Sequence, residues 1–207
     1  MSKVAIQGNA SGTGTFTIAA PNSNTDRTLT LPDEAGTVLT SASSIPVANL
    51  DSAVGITVAD LWRLTTNHTS DTTPVVTWEQ ASTETYNGQV GTSMSHSSGV
   101  FTFPATGMYA ITVQADMQSE SASTLTLATM VSPNGGTNYY ARAYAIVRNT
   151  AGGDSRATAY SQMILDVTST TDVKVRFDFD HAVTGSILYG NTDINITSVM
   201  FVRLGDT

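Results

Sequence analysis

Few side chains in this sequence have the types and spacing of a catalytic or metal-binding site. The strongest candidate is the run Phe177-Asp178-Phe179-Asp180-His181. Its two carboxylates and imidazole offer ligands for a cation, and oxygen-rich sites suit calcium. The alternation of Phe with Asp, however, is typical of a strand with one buried face and one solvent face, and it places both carboxylates in water. We therefore expect no metal site.

Two other clusters resemble catalytic groups only in composition. Ser95-His96-Ser97 puts hydroxyls beside an imidazole, but a catalytic triad depends on spatial geometry, so a solvated loop is the simpler interpretation. Asp33 and Glu34 lie in a Pro-Asp-Glu-Ala-Gly run that is typical of an exposed turn. The sequence has no cysteine, which excludes thiolate nucleophiles and disulfides. We expect a protein that is not an enzyme and has no cofactor.

Composition narrows the class of protein further. Charged residues make up 13% of the 207 residues and the formal net charge is −8, so the sequence lacks the basic surface of a nucleic-acid-binding protein. No run approaches the roughly 18 apolar residues of a membrane helix, and the N-terminus lacks the features of a secretory signal. Because β-branched Thr is abundant and charged helix formers are sparse, we expect a soluble all-β protein made in the cytoplasm.

Residues 1–45 have the pattern of a small β-rich segment. Short alternating runs at 15–18, 28–31 and 37–40 are separated by turn-rich stretches. The block has too few large apolar side chains to fold unaided, so either three copies share one core or the block lies on another protein. Both alternatives make it an attachment or trimerisation segment. Its candidate attachment residues are Phe16, Ile18, Leu29, Leu31, Val38 and Leu39.

Residues 46–60 form the predicted linker, and the C-terminal domain is predicted to span 61–207. Small side chains dominate the linker, where Val47, Leu50 and Val54 recur at helical spacing, so either a brief helix or a loose linker fits. A domain boundary near Ala59 is better supported than the helix.

Two strands of the C-terminal domain can be recognised from the alternation of apolar and polar residues alone. The predicted inward residues of the first are Tyr109, Ile111, Val113, Ala115 and Met117, and those of the second are Val173, Val175, Phe177 and Phe179. Further candidate strands are 75–79, 100–103, 125–130, 139–148, 157–167, 185–189 and 194–204. Short strands at fairly even spacing indicate a sandwich or jelly roll.

The predicted strand at 139–148 has no plain solvent face. Its alternate positions carry alanines and Val147 on one side, and Tyr140, Arg142, Tyr144 and Ile146 on the other. Aromatic and Arg side chains are enriched in interface cores. A subunit interface and an ordinary sandwich strand both remain open.

The run GVFTFPATGMYAI, residues 99–111, resembles the signature of the tumour-necrosis-factor and complement-type trimeric jelly rolls. In these folds a strand with inward Phe residues turns at Pro and Gly, then re-enters the sheet with an aromatic residue. Runs at 171–175, 188–191 and 198–201 look like the closing strands, so the resemblance covers about the last two-thirds of the chain. It implies homotrimers packed around an apolar three-fold axis. The residues of this trimer and core signature are Phe101, Phe103, Pro104, Gly107 and Tyr109.

A second resemblance concerns the N-terminal block. Residues 12–21 and 24–37 look like a segment that recurs in fibre and structural proteins of marine tailed phages, and residues 61–65 and 77–79 look like the start of their globular part. The resemblance implies a location on a virion. Tail fibres usually carry such a block after a long shaft, and here it starts almost at Met1, so we expect a compact protein on a larger surface.

Together these patterns predict a non-enzymatic bacteriophage structural protein at the virion surface. The first hypothesis is a homotrimeric capsid decoration or cement protein, whose partners are its own copies and the major capsid protein or other virion proteins. The alternative is a short tail or head fibre whose jelly roll binds a host surface receptor such as a glycan; a glycan-cleaving virion enzyme is the third. A receptor-binding tip should carry aromatic or charged loops, whereas the turns at 135–136 and 152–153 are glycine pairs. The aromatic residues that can stack on sugars, or pack in the core or an interface, are Trp62, Trp78, Tyr139 and Tyr140.

Overall fold

The computed structural model describes residues 11–15, 17, 22–26, 28, 55–83, 87–150, 153–181 and 183–207. The chain divides into two compact units, residues 1–44 and 45–207. The candidate strands of the N-terminal block fall almost wholly outside the described residues, and so do the candidate helix at 47–54 and Asp33 and Glu34. The predicted domain bounds therefore stay predictions. The candidate attachment residues outside the described part are Phe16, Ile18, Leu29, Leu31, Val38 and Leu39.

Eleven strands in the described part of the chain form two antiparallel sheets. Sheet A contains β1 (Ala59–Leu64), β2 (Trp78–Gln80), β5 (Gly107–Ser119), β8 (Ser155–Val167), β10 (Ile187–Leu188) and β11 (Ser198–Gly205). Sheet B contains β3 (Ser95–Ser97), β4 (Val100–Thr102), β6 (Ser123–Ser132), β7 (Tyr140–Asn149) and β9 (Lys174–His181). A 3-10 turn, Ala81–Thr83, follows β2. The prediction of an all-β protein is confirmed, and no helix in the described ranges has the length and apolarity to cross a membrane.

Strand order explains how distant segments meet. Sheet A runs β8-β5-β11-β1-β2, with β10 beside the far end of β5, and sheet B runs β3-β4-β9-β6-β7. In sheet A most neighbouring strands are far apart in sequence, and in sheet B half of the neighbouring pairs are, as in a jelly roll, where the chain crosses between sheets. The edge strands of sheet A are β8 and β2, and those of sheet B are β7 and β3.

The two strands recognised from alternation, β5 and β9, have the predicted inward faces. Along β5 buried and half-buried residues alternate without exception from Gly107 to Ser119. Along β9 the residues Val175, Phe177 and Phe179 are buried, and Val173 is buried just before the strand begins. A period of two is what a strand needs to send every second side chain into the core.

Aromatic rings fill the space between the two sheets. The ring centroid of Phe101 lies 5.7 Å from that of Phe177 and 5.3 Å from that of Phe201, so one ring connects β4, β9 and β11. Trp62 and Trp78 are also buried in this cluster, 9% and 6% exposed. Core packing is therefore the role of both tryptophans, and they are not available to stack on sugars.

A buried carboxylate on β1 links this strand to β2 and to the segment before β3. Asp60 on β1 is 2% exposed. One of its oxygens accepts hydrogen bonds from the indole N–H of Trp62 and the backbone N–H of Met94, both at 2.8 Å, and the other accepts one from the amide of Gln80 at 2.9 Å. Because an unpaired buried charge is costly, these three donors make the burial of Asp60 possible.

His96 corrects the expectation of a solvated loop at 95–97. These residues form β3, and His96 lies opposite Phe101 on β4. The imidazole packs 5.0 Å from the ring of Phe101 and 5.7 Å from that of Trp62, measured between centroids, and Nε2 accepts a hydrogen bond from the backbone N–H of Gly99. Burial lowers the pKa of His96. Its role is to close the core at the edge of sheet B.

Candidate self-association surface

The jelly-roll signature residues lie in and around the core of the single chain. Phe101, Phe103 and Tyr109 are at most 2% exposed, and the rings of Phe103 and Tyr109 are 4.7 Å apart. The Tyr109 hydroxyl donates a hydrogen bond to the carbonyl of Ala105 at 3.0 Å, which ties the start of β5 to the preceding corner. Half-buried Pro104 lies in that corner. These side chains build the fold, and whether they contribute to a subunit contact stays a prediction.

Gly107 is required by the same corner. Its φ is +137°, in the region that disfavours residues with a side chain. A Cβ at this position would overlap the backbone carbonyl of Gly205 and the guanidinium of Arg203. Glycine therefore allows β5 and the end of β11 to approach closely.

The side of sheet A that faces away from the core carries rows of apolar side chains. Cross-strand partners point to the same side of a sheet, so the register identifies each row. One row crosses β8, β5, β11 and β1 through Ile164, Ala110, Val202 and Ala59, and ends at Val90, which bridges to Ala59. We call this side of sheet A the A face.

The next row of the A face contains Gln162, Thr112, Met200 and Leu61. Several side chains of the two rows are solvent-exposed: Ile164 is 63% exposed, Val90 46% and Met200 41%. A shallow hollow of about 290 Å³ lies against Leu61, Met200 and Val90, and a second of about 400 Å³ lies between β5 and β8. Contiguous exposed apolar surface of this kind marks interaction sites.

The other end of the A face is polar. Asp116 on β5 pairs with Arg156 on β8, with 2.6 Å between Oδ1 and Nε, and the guanidinium stacks 3.9 Å from the ring centroid of Tyr189. The hydrogen bond to Asp116 raises the pKa of Arg156. Charged pairs at one end and apolar rows at the other resemble the rim and core of an interface.

Sequence analysis did not identify the A face, although β8 held a signal. Ala159, Met163 and Leu165 pack against the core, while Tyr160 and Ile164 point the other way and are more than 60% exposed. A strand that is apolar on both faces can pack against two partners, and the described part of the chain covers only the side that faces the core.

The two sides of β7 differ in burial, and a subunit contact through its outward side stays a prediction. Ala145 and Val147 are buried, whereas Tyr140, Tyr144 and Ile146 are 48%, 53% and 50% exposed. The alanine side faces the core as in an ordinary sandwich strand, and the aromatic side is exposed. Tyr139, just before the strand, is half-buried beneath the guanidinium of Arg176, 4.0 Å from its ring centroid.

The acidic segment 178–181 is engaged in side-chain pairs. Asp178 was expected in water, but its side chain is only 14% exposed and accepts a hydrogen bond from Arg176 at 2.9 Å. Burial raises the pKa of Asp178, and Arg176 partly offsets this. His181 lies beside Asp71, with 3.2 Å between Nδ1 and Oδ1. Across the described ranges, no group of three His, Cys, Asp or Glu side chains converges as a metal site would require.

Comparison with known proteins identifies the fold. No family model and no curated protein matches the sequence. Among solved structures, the chain is similar to the Eiger TNF of S. frugiperda with a TM-score of 0.51 and 14% identity, over 72% of this chain and 94% of that one. It is similar to murine APRIL at pH 5.0 with a TM-score of 0.50 and 14% identity, over 71% of this chain and 99% of that one. The protein therefore has a tumour-necrosis-factor-like jelly-roll fold.

Proposed function

We propose that this chain is a non-enzymatic structural protein of a tailed-phage virion that works as a homotrimer, as a capsid decoration or cement protein. The observation that carries the self-association is the apolar row on the A face, which five segments of the chain contribute. A monomer would leave this row in water, and a second copy of the chain can cover it.

Three copies are proposed because the resemblance to tumour-necrosis-factor-type jelly rolls implies packing around an apolar three-fold axis. The distribution of polarity supports this arrangement. The apolar rows of the A face can be buried near the axis, while the ion pair between Asp116 and Arg156 can stay at the solvated rim. A cyclic arrangement uses the same contact three times and closes without a free interface.

Residues 1–45 are proposed to attach the trimer to the virion. A trimer carries three copies of the segment, so the attachments assist one another through effective concentration and each can be weak. The proposed attachment side chains are Phe16, Ile18, Leu29, Leu31, Val38 and Leu39. Their proposed partner is the major capsid protein or another virion protein, because the segment resembles those of marine tailed-phage structural proteins.

Receptor recognition by a short tail or head fibre is the second candidate function. The observation that favours it is the outward side of β7, where Tyr144 is 53% exposed. Exposed aromatic side chains are frequent in binding sites because one ring combines apolar contact area with little conformational entropy.

Immunogold electron microscopy of intact virions tests the location. The probe is an antibody against residues 61–207, applied to virions of the phage that encodes the chain. We expect gold over the head. Gold confined to the tail would overturn the decoration role in favour of the fibre role, and virions without gold, in the presence of the soluble protein in the lysate, would overturn the virion assignment.

A further inference from the structure

A groove of about 300 Å³ lies on the side of sheet B that faces away from the core. Its floor is Ala128 on β6, one wall is Tyr144 on β7, and the other wall is Asp178 and Asp180 on β9. We call it the outer groove. It lies on the opposite sheet from the A face.

The register of sheet B explains why a groove forms here. Ala128 on β6 pairs with Tyr144 on one side and with Asp178 on the other, so a methyl group separates two longer side chains. With neighbouring strands about 4.8 Å apart, the two walls stand about 10 Å from each other. In the next row Thr126 lies opposite Asp180 and adds a hydroxyl to the floor.

The walls carry unused hydrogen-bonding capacity. Oδ2 of Asp178 accepts from Arg176, but Oδ1 is buried without a partner, and in the described part of the chain nothing pairs with the carboxylate of Asp180. Tyr144 is 53% exposed. The groove therefore presents an aromatic ring and the exposed carboxylate of Asp180 in one concave site.

The charges around the outer groove exclude anionic ligands. The guanidinium of Arg176 is held by Asp178 and stacks on Tyr139, and the imidazole of His181 faces Asp71. Among the described residues that line the groove, the charged side chains are Asp71, Asp178 and Asp180, and none is a cation. A carboxylated or sulfated ligand would meet uncompensated negative charge.

We propose that the outer groove binds an uncharged hexopyranose unit of a glycan. A pyranose has an apolar C–H face that can stack on Tyr144 and hydroxyls that can donate to Asp180, so a single ring can use both walls. An ammonium group is a compact point charge and cannot contact two walls that stand about 10 Å apart. The proposal names a ligand for the second candidate function, but it does not depend on where the protein sits on a particle.

The test measures binding of methyl glucoside, galactoside and mannoside to the full-length protein by saturation-transfer NMR and titration calorimetry. The variants are Tyr144→Ala and Asp180→Asn. The matched control is Tyr140→Ala, which removes an equally exposed tyrosine of the same strand, about 13 Å away along β7. Light scattering records the oligomeric state of each variant, and urea unfolding confirms that each is folded.

We expect at least one hexoside to bind, with affinity reduced at least about tenfold in Tyr144→Ala and in Asp180→Asn and unchanged in Tyr140→Ala. The proposal is overturned if no hexoside binds, or if the two groove variants bind as well as the wild type. It is also overturned if lysine methyl ester binds instead with steep salt dependence, which would identify a cationic ligand. A loss of the oligomer in Tyr144→Ala would place this residue in the subunit contact and overturn the proposal too.

Discussion

Replacing Ile164 with lysine should dissociate the proposed trimer without unfolding the subunit. Ile164 is 63% exposed in the single chain and lies in the apolar row of the A face. Because this side chain contributes little to the core, the substitution changes the surface far more than the fold. Surface substitutions of this kind usually alter the free energy of unfolding by about 0.5 kcal/mol or less.

The magnitude follows from the area that association would bury. Full burial of an isoleucine side chain contributes about 1.5 to 3 kcal/mol, so the exposed 63% of Ile164 is worth about 1 to 2 kcal/mol per subunit. Three equivalent copies give about 3 to 6 kcal/mol, or about 10² to 10⁴ in the assembly constant. Burying the ammonium adds a further cost per copy, which the carboxylate of Asp166, two residues along the same side of β8, partly offsets.

Size-exclusion chromatography with light scattering measures the outcome. The wild type should have about three times the chain mass of 21.7 kDa, and Ile164→Lys should have the chain mass. The control is Ile146→Lys, which changes an isoleucine that is 50% exposed on the outward side of sheet B and should leave the trimer intact. If Ile164→Lys remains trimeric, the A face is not the subunit contact, and if only the control dissociates, the contact lies on sheet B.

Three further substitutions test the interior of the fold. Asp60→Asn should lower the free energy of unfolding by about 2 to 4 kcal/mol in urea titration. Both oxygens of Asp60 accept hydrogen bonds, so the side-chain NH2 group of asparagine would face a donor where one oxygen now accepts. An unchanged midpoint would contradict the role of the buried charge. Gly107→Ala should lower the free energy of unfolding by about 2 kcal/mol or more, because φ is +137° and the Cβ would overlap the carbonyl of Gly205; a thermal midpoint equal to that of the wild type would show that the corner relaxes freely. Burial lowers the pKa of His96 below its usual 6.5. The unfolded chain therefore takes up a proton on His96 at a higher pH than the folded chain does. The stability that neutral His96 contributes is fully present above about pH 6.5 and is lost as the pH falls through the lowered pKa of the folded state. His96→Gln should therefore reduce the loss of stability between about pH 7.5 and 5.5, and an equal loss in wild type and variant would place the titrating group elsewhere.

The strands that sequence analysis located best are those with strict alternation. In β5 and β9 every second side chain is large and apolar, and this pattern alone defines the inward face. Strand β3 was missed because Ser and His carry no strand signal, and only its pairing with β4 and the packing of His96 on Phe101 make it a strand. Strand β11 begins at Ser198 rather than at 194. In the preceding loop the backbone N–H of Ile196 donates a hydrogen bond to the nearby carbonyl of Ile194 instead of to a neighbouring strand.

The A face and the outer groove were harder to foresee, because each depends on cross-strand register. Ile164 and Val202 are 38 positions apart in the sequence and lie in one row only because β8 and β11 both pair with β5. Likewise, Tyr144 and Asp178 become opposite walls only through Ala128. Alternation within a strand shows which residues share a side of the sheet. The register between strands determines which residues become neighbours, and the local sequence does not encode that register.

The two outer sides of the sandwich differ in what burial would cost. On sheet B, covering the groove with a second copy would desolvate Asp180, whose carboxylate has no partner in the described part of the chain. An effective cost of several kcal/mol for such an ion exceeds what burying the exposed half of Ile146, which lies in the same cross-strand row beyond Thr126, would contribute. On the A face the rows of Ile164 and Met200 contain no charged side chain. Asp166 lies in the row beyond Ile164, at the edge of the sheet, and the ion pair of Asp116 and Arg156 lies at the other end. Association through sheet A and ligand binding on sheet B is therefore the division of roles that desolvation favours.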